Sequence, residues 1–163
     1  MKKLLIFLLA LAGGWATQAQ VFTQTYSSGD IFGVGQVQNS TNDVSPCPGV
    51  LTFTGLPAGA NVDSVLVQYD FFSTLAGFQS PFEQRSYINC PTTGIKETSL
   101  ALAPPAGPGV TTVTYSRLIN VANGTLASST LTFELHAGTT SLIPGSCSGS
   151  GHIVLNNTWS VTV

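Results

Sequence analysis

The sequence predicts an all-β fold, an antiparallel β-sandwich of the jelly-roll type. Short runs in which apolar and polar residues alternate recur along the chain, and this period of two is typical of strands with one face on a core. Turns rich in glycine and proline separate the runs. Beyond the N-terminus, no segment of useful length shows the period of a helix. Many short alternating strands with frequent turns favour a sandwich.

Residues 1–19 are predicted to be a signal peptide. Two lysines precede an apolar run at 4–11, and small residues follow at Thr17 and Ala19. This order is typical of a secretory signal, whereas a membrane helix needs about 20 apolar residues. We expect cleavage before Gln20 and no membrane insertion afterwards. The mature protein would then be secreted or on the cell surface, with the periplasm as the alternative.

The mature chain is poor in charge. It carries three basic and seven acidic residues, a net charge of −4. Without a basic patch, nucleic acid is not an expected partner. Uncharged polar side chains must solvate the surface, which is typical of an extracellular β-protein. The alternative is a surface that packs against copies of itself or against a neutral polymer.

Two regions follow the signal. Residues 20–46 are polar and form either an N-terminal arm or edge strands, and the Pro-Cys-Pro-Gly turn at 46–49 ends them. Residues 47–163 form the β-sandwich domain. Its predicted strands are 50–54, 62–72, 83–90, 98–102, 111–118, 129–138, 152–155 and 158–163.

The strand at 129–138 organises the rest, because its two faces differ sharply in chemistry. Its outer face carries Glu134 and His136 in a chain that has few carboxylates and two histidines. Its inner face is apolar and carries Leu131, Phe133, Leu135 and Ala137. The longest predicted strand, 62–72, also has one apolar face, formed by Val65, Val67, Tyr69 and Phe71.

Three cysteines in an exported chain favour a disulfide. We expect Cys90 and Cys147 to pair, because Cys90 ends a strand and Cys147 lies in a Gly/Ser loop able to fold back on it. Cys47 would then be free or bonded to another chain. The spacing lacks a C-x-x-C pair, which makes zinc a weak alternative. We therefore predict no metal and no cofactor.

The candidate site combines two strands. Glu83, Arg85 and Tyr87 share one face of the strand at 83–90, and Glu134 and His136 share one face of another. As a binding patch, these residues would hold a sugar or peptide by hydrogen bonds, and either Tyr87 or Phe78 would offer a stacking face. Two alternatives stay open: a structural Arg85–Glu134 ion pair, and a pair of catalytic carboxylates, Glu83 and Glu134, as in glycoside hydrolysis.

Several stretches carry a family resemblance: Gly-Leu-Pro-Ala-Gly-Ala at 55–60 with the strand to residue 70, Glu-Gln-Arg at 83–85, Phe-Glu-Leu-His-Ala-Gly at 133–138 and Asn-Asn-Thr-Trp-Ser-Val-Thr-Val at 156–163. Together they resemble a β-sandwich module of secreted bacterial proteins that are often type IX secretion cargo. The first and last are also similar to the P-domain jelly roll of subtilisin-like proteases. The resemblance implies a non-catalytic accessory or adhesive domain. Since such cargo usually carries a C-terminal sorting domain and this sequence ends at Val163, the export route stays open.

The functional prediction is a non-enzymatic module that binds or adheres to a neutral glycan, matrix or another surface protein. The alternative is a subunit of an extracellular fibre or layer, in which the arm at 20–46 completes the sheet of another copy. A hydrolase built on Glu83 and Glu134 is the third hypothesis.

Overall fold

A computed structural model describes residues 19–35, 37, 39–74, 81–105, 109–140, 147–148 and 151–163, so all but the last residue of the predicted signal peptide lies outside it. In this part of the chain, every regular element is a strand except the 3-10 helix Pro81–Glu83. The strands are β1 Thr23–Thr25, β2 Ile31–Phe32, β3 Gly49–Phe53, β4 Asn61–Val62, β5 Val65–Ser73, β6 Gln84–Cys90, β7 Ile95–Lys96, β8 Ala101–Leu102, β9 Thr112–Ile119, β10 Gly124–Thr125, β11 Leu131–Thr139, β12 His152–Val154 and β13 Ser160–Thr162.

The strands form two antiparallel sheets and one small ribbon, β4 with β10. In the first sheet, β5 lies between β9 and the pair β12 and β13, and β1 and β2 follow at the far edge. In the second, the order is β3, β11, β6, and then β7 and β8. The chain crosses repeatedly between the sheets, and the resulting strand order is that of a jelly roll. The predicted fold class is confirmed.

The core lies between the sheets and follows the predicted alternation. β5 and β11 are the central strands. β5 buries every second side chain, whereas β11 alternates only over its first half and is buried on both faces from Leu135 to Thr139. Burying a large apolar side chain contributes about 1.5–3 kcal/mol to folding, so these two strands anchor the domain. The inward residues predicted for them are all at most 1% exposed: Val65, Val67, Tyr69, Phe71, Leu131, Phe133, Leu135 and Ala137.

The polar N-terminal region is integrated into the fold. β1 pairs with β13 over three residues, and β2 pairs with β12. The chain then crosses to the outer face of the second sheet, and we call the described residues 33–35, 37 and 39–47 the strap. The strap is attached by backbone hydrogen bonds of Val34 with Ala137 and Thr139, both of 3.3 Å. The fibre hypothesis needs a free arm, and this arrangement gives it no support.

The strap covers a second, smaller apolar cluster outside the main core. Val34, Val37 and Tyr87 are at most 2% exposed there. Gly138 makes this close packing feasible, because a methyl group at that position would overlap the carbonyl oxygen and Cβ of Val37. The outer face of β11 is therefore partly an interior surface.

A disulfide is present, but the predicted pairing is wrong. Cys47 bonds to Cys147, and Cys90 is a free, fully buried thiol. Cys90 lies on the core face of β6, which removes it from any surface loop. The bond instead fixes the end of the strap.

An ionic bridge that the sequence did not predict links the two sheets. Arg117 on β9 donates from Nε and Nη2 to the two carboxylate oxygens of Glu97, each at 2.8 Å. Its Nη1 donates to the hydroxyl of Tyr69 at 2.8 Å, and that hydroxyl is hydrogen-bonded to Ser86 of the second sheet. Glu97 also accepts the backbone N–H of Ile88 at 2.6 Å. Bidentate pairs of this kind are among the stronger charged contacts in proteins.

Candidate functional site

The second sheet brings three predicted site residues together. β6 and β11 are neighbours, and Tyr87 lies directly opposite His136 in the register. Their rings stack with centroids 4.6 Å apart and planes 5° apart. Glu134 lies opposite Asn89 and accepts a hydrogen bond of 2.8 Å from its amide.

His136 is fixed by both ring nitrogens. The backbone N–H of Ser45 in the strap points at Nδ1 at 3.3 Å, so Nδ1 is the acceptor and carries no proton. Nε2 then carries the proton and donates to the Glu134 carboxylate at 3.3 Å. Burial lowers the pKa of His136, although Glu134 opposes the shift. His136 is 3% exposed and therefore fastens the strap to the sheet.

Tyr87 does not offer a stacking surface to a ligand. It is 2% exposed, one face lies against His136, and its hydroxyl donates to the carbonyl of Asp43 at 3.0 Å. Burial raises its pKa, with further contributions from Glu134 and Asp43. Tyr87 and His136 thus position the strap.

The two predicted catalytic carboxylates are far apart. Glu83 was expected to begin a strand but is the last residue of the 3-10 helix. Its carboxylate lies 3.5 Å from Nε2 of the buried His152. Gln84, the next residue, pairs with Thr139, five positions along β11 from Glu134. At about 3.4 Å per residue, the backbone positions that carry the two glutamates are roughly 17 Å apart along the sheet, whereas the carboxylates of a glycosidase lie about 5–9.5 Å apart. The geometry does not support the hydrolase hypothesis.

Arg85 forms no ion pair with Glu134 in the described part of the chain. It pairs in the register with Gly138, and its Nη1 donates to the carbonyls of Phe82 and Gln84 at 2.6 and 2.7 Å. The structural alternative for this pair was therefore wrong. The side chain is half-buried and borders a cavity.

This cavity of about 420 Å³ lies where the strap meets β6 and β8. Its wall is mostly polar and uncharged, with two leucines and one guanidinium. The lining residues are Asn39, Ser40, Thr41, Arg85, Thr98, Ser99, Leu100, Leu102 and Thr140. Hydroxyl and amide groups both donate and accept hydrogen bonds, which suits a polyhydroxylated ligand.

Side-chain hydrogen bonds attach the strap side of the cavity to its surroundings. The Asp43 carboxylate accepts the backbone N–H groups of Asn39 and Ser40 at 3.1 and 3.0 Å. Lys96 donates to the carbonyl of Thr41 at 2.9 Å and to the side chain of Asn42 at 2.8 Å. Since a site whose walls are already ordered loses less entropy on binding, this rigidity favours ligand binding.

Sequence reasoning identified Arg85 but missed the rest of the cavity. Its lining comes from four separated segments, 39–41, 85, 98–102 and 140, none of which carries a motif. The hydroxyl-rich composition was the only available signal, and it is spread over the whole chain.

The sequence matches no family model and no curated protein. A solved structure described as a xylan-binding module, CBM15, is similar with a TM-score of 0.47 and 11% identity, over 90% of this chain and 97% of that one. This similarity is too low to bear on what the chain binds. The resemblances to type IX cargo and to the P-domain stay predictions.

The described residues contain neither a candidate metal site nor a helix able to span a membrane. No group of three or more His, Cys, Asp or Glu side chains there could hold a metal ion. No helix in that part of the chain is long and apolar enough to cross a membrane.

Proposed function

We propose that this protein is a secreted, non-catalytic β-sandwich module that binds a glycan in the cavity between the strap and β6. The observation that carries the proposal is the cavity itself, an ordered, hydroxyl-lined site of about 420 Å³ on the surface of a jelly roll. This volume lies within the range of about 300–1,000 Å³ typical of ligand sites.

The chemistry of the wall supports a sugar over other small ligands. Five of the lining residues, Ser40, Thr41, Thr98, Ser99 and Thr140, carry hydroxyl groups, which can both donate to and accept from the hydroxyls of a sugar ring. Two leucines supply the apolar contact that the C–H face of a sugar needs.

An exposed aromatic ring lies close in the chain. Phe82 is 58% exposed, and its carbonyl accepts a hydrogen bond from Arg85, which lines the cavity. An exposed aromatic ring three residues before a cavity-lining arginine is suited to contact the next sugar of a chain. This favours a polysaccharide over a free monosaccharide.

The disulfide supports export. Cys47–Cys147 requires an oxidising compartment, in agreement with the predicted signal peptide. A secreted module that adheres to matrix or cell-surface glycan is the role most consistent with these features.

Affinity electrophoresis tests the proposal directly. The mature protein is run through gels that contain soluble neutral and acidic polysaccharides, one at a time. We expect retardation in at least one gel, abolished by Ser99→Trp, which fills the cavity. Ser116→Trp is the matched control, because Ser116 is exposed on β9 of the other sheet. Retardation that survives Ser99→Trp, or no retardation in any gel, would contradict the proposal.

A further inference from the structure

We infer that the cavity selects a glycan that carries carboxylate groups, a uronic-acid polymer, and that Arg85 recognises the carboxylate. The sequence had favoured a neutral glycan, so this inference changes the ligand class. It rests on the proposed function and adds the chemical identity of one contact.

The Arg85 guanidinium is oriented by the backbone and has unused donors. One nitrogen, Nη1, donates to two backbone carbonyls, which orients the planar group. Within the described residues, no carboxylate pairs with it. The remaining N–H groups, on Nε and Nη2, are the edge with which arginine binds carboxylates in a bidentate manner.

The basic residues of the mature chain are unevenly distributed. The mature chain has three basic residues, and Arg117 is consumed by Glu97. The other two stand at the cavity: Arg85 lines it, and Lys96 holds the carbonyl of Thr41, a lining residue. The nearby Asp43 carboxylate is turned onto backbone N–H groups. The mature chain, with a net charge of −4, thus has its two basic residues without a carboxylate partner at or near this cavity, where they attract anions.

The lining residues also indicate which kind of anion fits the cavity. The other polar lining groups are hydroxyls and one amide, which match sugar hydroxyls. One planar cation among neutral hydrogen-bonding groups fits a sugar with a single carboxylate per residue. A densely sulfated chain would meet too few positive charges in the cavity.

Isothermal titration calorimetry with matched pairs of acidic and neutral polymers tests whether the cavity selects carboxylates. The probes are polygalacturonate, alginate, hyaluronate and glucuronoxylan, each compared with its carboxyl-reduced, neutral form at 150 mM salt. Dextran sulfate serves as a carboxylate-free anion. We expect at least one acidic polymer to bind about 10- to 100-fold more tightly than its reduced form, the effect of one hydrogen-bonded charge. Dextran sulfate is expected to bind weakly.

Variants of Arg85 complete the test. Arg85→Gln should abolish the preference for the acidic form, and Arg85→Lys should retain part of it, because the charge stays and the bidentate edge is lost. Gln68→Ala, on the exposed face of β5, is the control and should bind like the wild type.

The outcomes separate the two claims. Equal affinity for acidic and reduced polymers, or a preference that survives Arg85→Gln, would overturn the inference and leave glycan binding standing. Tighter binding of dextran sulfate would also overturn it. Binding of none of the polymers, acidic or neutral, would reject the proposed function with it. The comparison of polymers uses wild-type protein, so a misfolded variant cannot decide the result.

Discussion

Gly138 shows how a single missing side chain shapes this molecule. Its position on the outer face of β11 would normally carry a side chain, and here the backbone of Val37 occupies that space. The strap can therefore pack directly on the sheet and complete the wall of the cavity.

Replacing Gly138 with alanine tests that role. Because a Cβ there would overlap Val37, we expect Gly138→Ala to reduce the free energy of unfolding by about 1–3 kcal/mol. Urea denaturation monitored by tryptophan fluorescence measures the change. Ser116→Ala on β9 is the control and should change it little. Equal stability of Gly138→Ala and wild type would mean that the strap is not packed as described.

His136 predicts a pH dependence of stability. Its pKa in the folded protein is lowered from 6.5 by burial, and protonation of Nδ1 would remove the acceptor for the Ser45 N–H. The unfolded chain then binds more protons than the folded one below about pH 6.5, so stability is present above that pH and is lost as the pH falls. The pKa of His152 is lowered in the same direction by burial.

Denaturation at pH 7.5 and pH 5.0 measures the effect. We expect a lower free energy of unfolding at pH 5.0, and a smaller difference in His136→Gln, which cannot titrate. His152, whose pKa is lowered in the same direction, contributes to the pH dependence that remains in the variant. An unchanged difference between the two pH values in His136→Gln would show that His136 does not fasten the strap.

At the scale of elements, the ionic bridge between β9 and the second sheet is a second test of the packing. In Glu97→Gln, the charge of Arg117 loses its partner between the sheets. The side chains are 19% and 13% exposed, so we expect a loss of roughly 1–3 kcal/mol, below the cost for a fully buried pair. Thermal unfolding measures it against Asp63→Asn, an exposed carboxylate. A loss no larger than that of the control would contradict the assigned role.

The strap and the disulfide form the next element. Cys47–Cys147 closes a loop with a sequence separation of 100 residues, and we expect the Cys47→Ser, Cys147→Ser double variant to lose about 2–4 kcal/mol. Hydrogen exchange should become faster at residues 39–45 while β5 and β11 stay protected. Cys90→Ala is the control for loss of a thiol and should keep the strap protected. Uniformly faster exchange would mean that the strap is not a separate unit.

The elements also show what the sequence could predict. Alternation identified β5 and β11 with their inward faces and located β9, because a buried face imposes a period of two. It could not predict the strap, which has no period and is held by Gly138 and Ser45 contacts that arise only after folding. The disulfide depended on the same step, since proximity in space chose Cys47 over the buried Cys90.

At the scale of the whole molecule, the jelly roll explains where the site is. Its crossings place the strap over the outer face of the second sheet, beside β6 and β8, and the cavity forms in the gap between them. The two rings expected to contact a ligand or carry chemistry, Tyr87 and His136, instead hold the wall in place. Arg85 is the member of the predicted set that lines the cavity.

The most direct test of this account is an amide NMR titration of the mature protein with an oligosaccharide from the best-binding polymer. We predict that the largest shift changes fall on residues 39–41, Arg85 and residues 98–102, with little change on β9. Changes concentrated on β9 or on another surface, with the cavity residues unaffected, would contradict the central claim that this cavity binds the glycan.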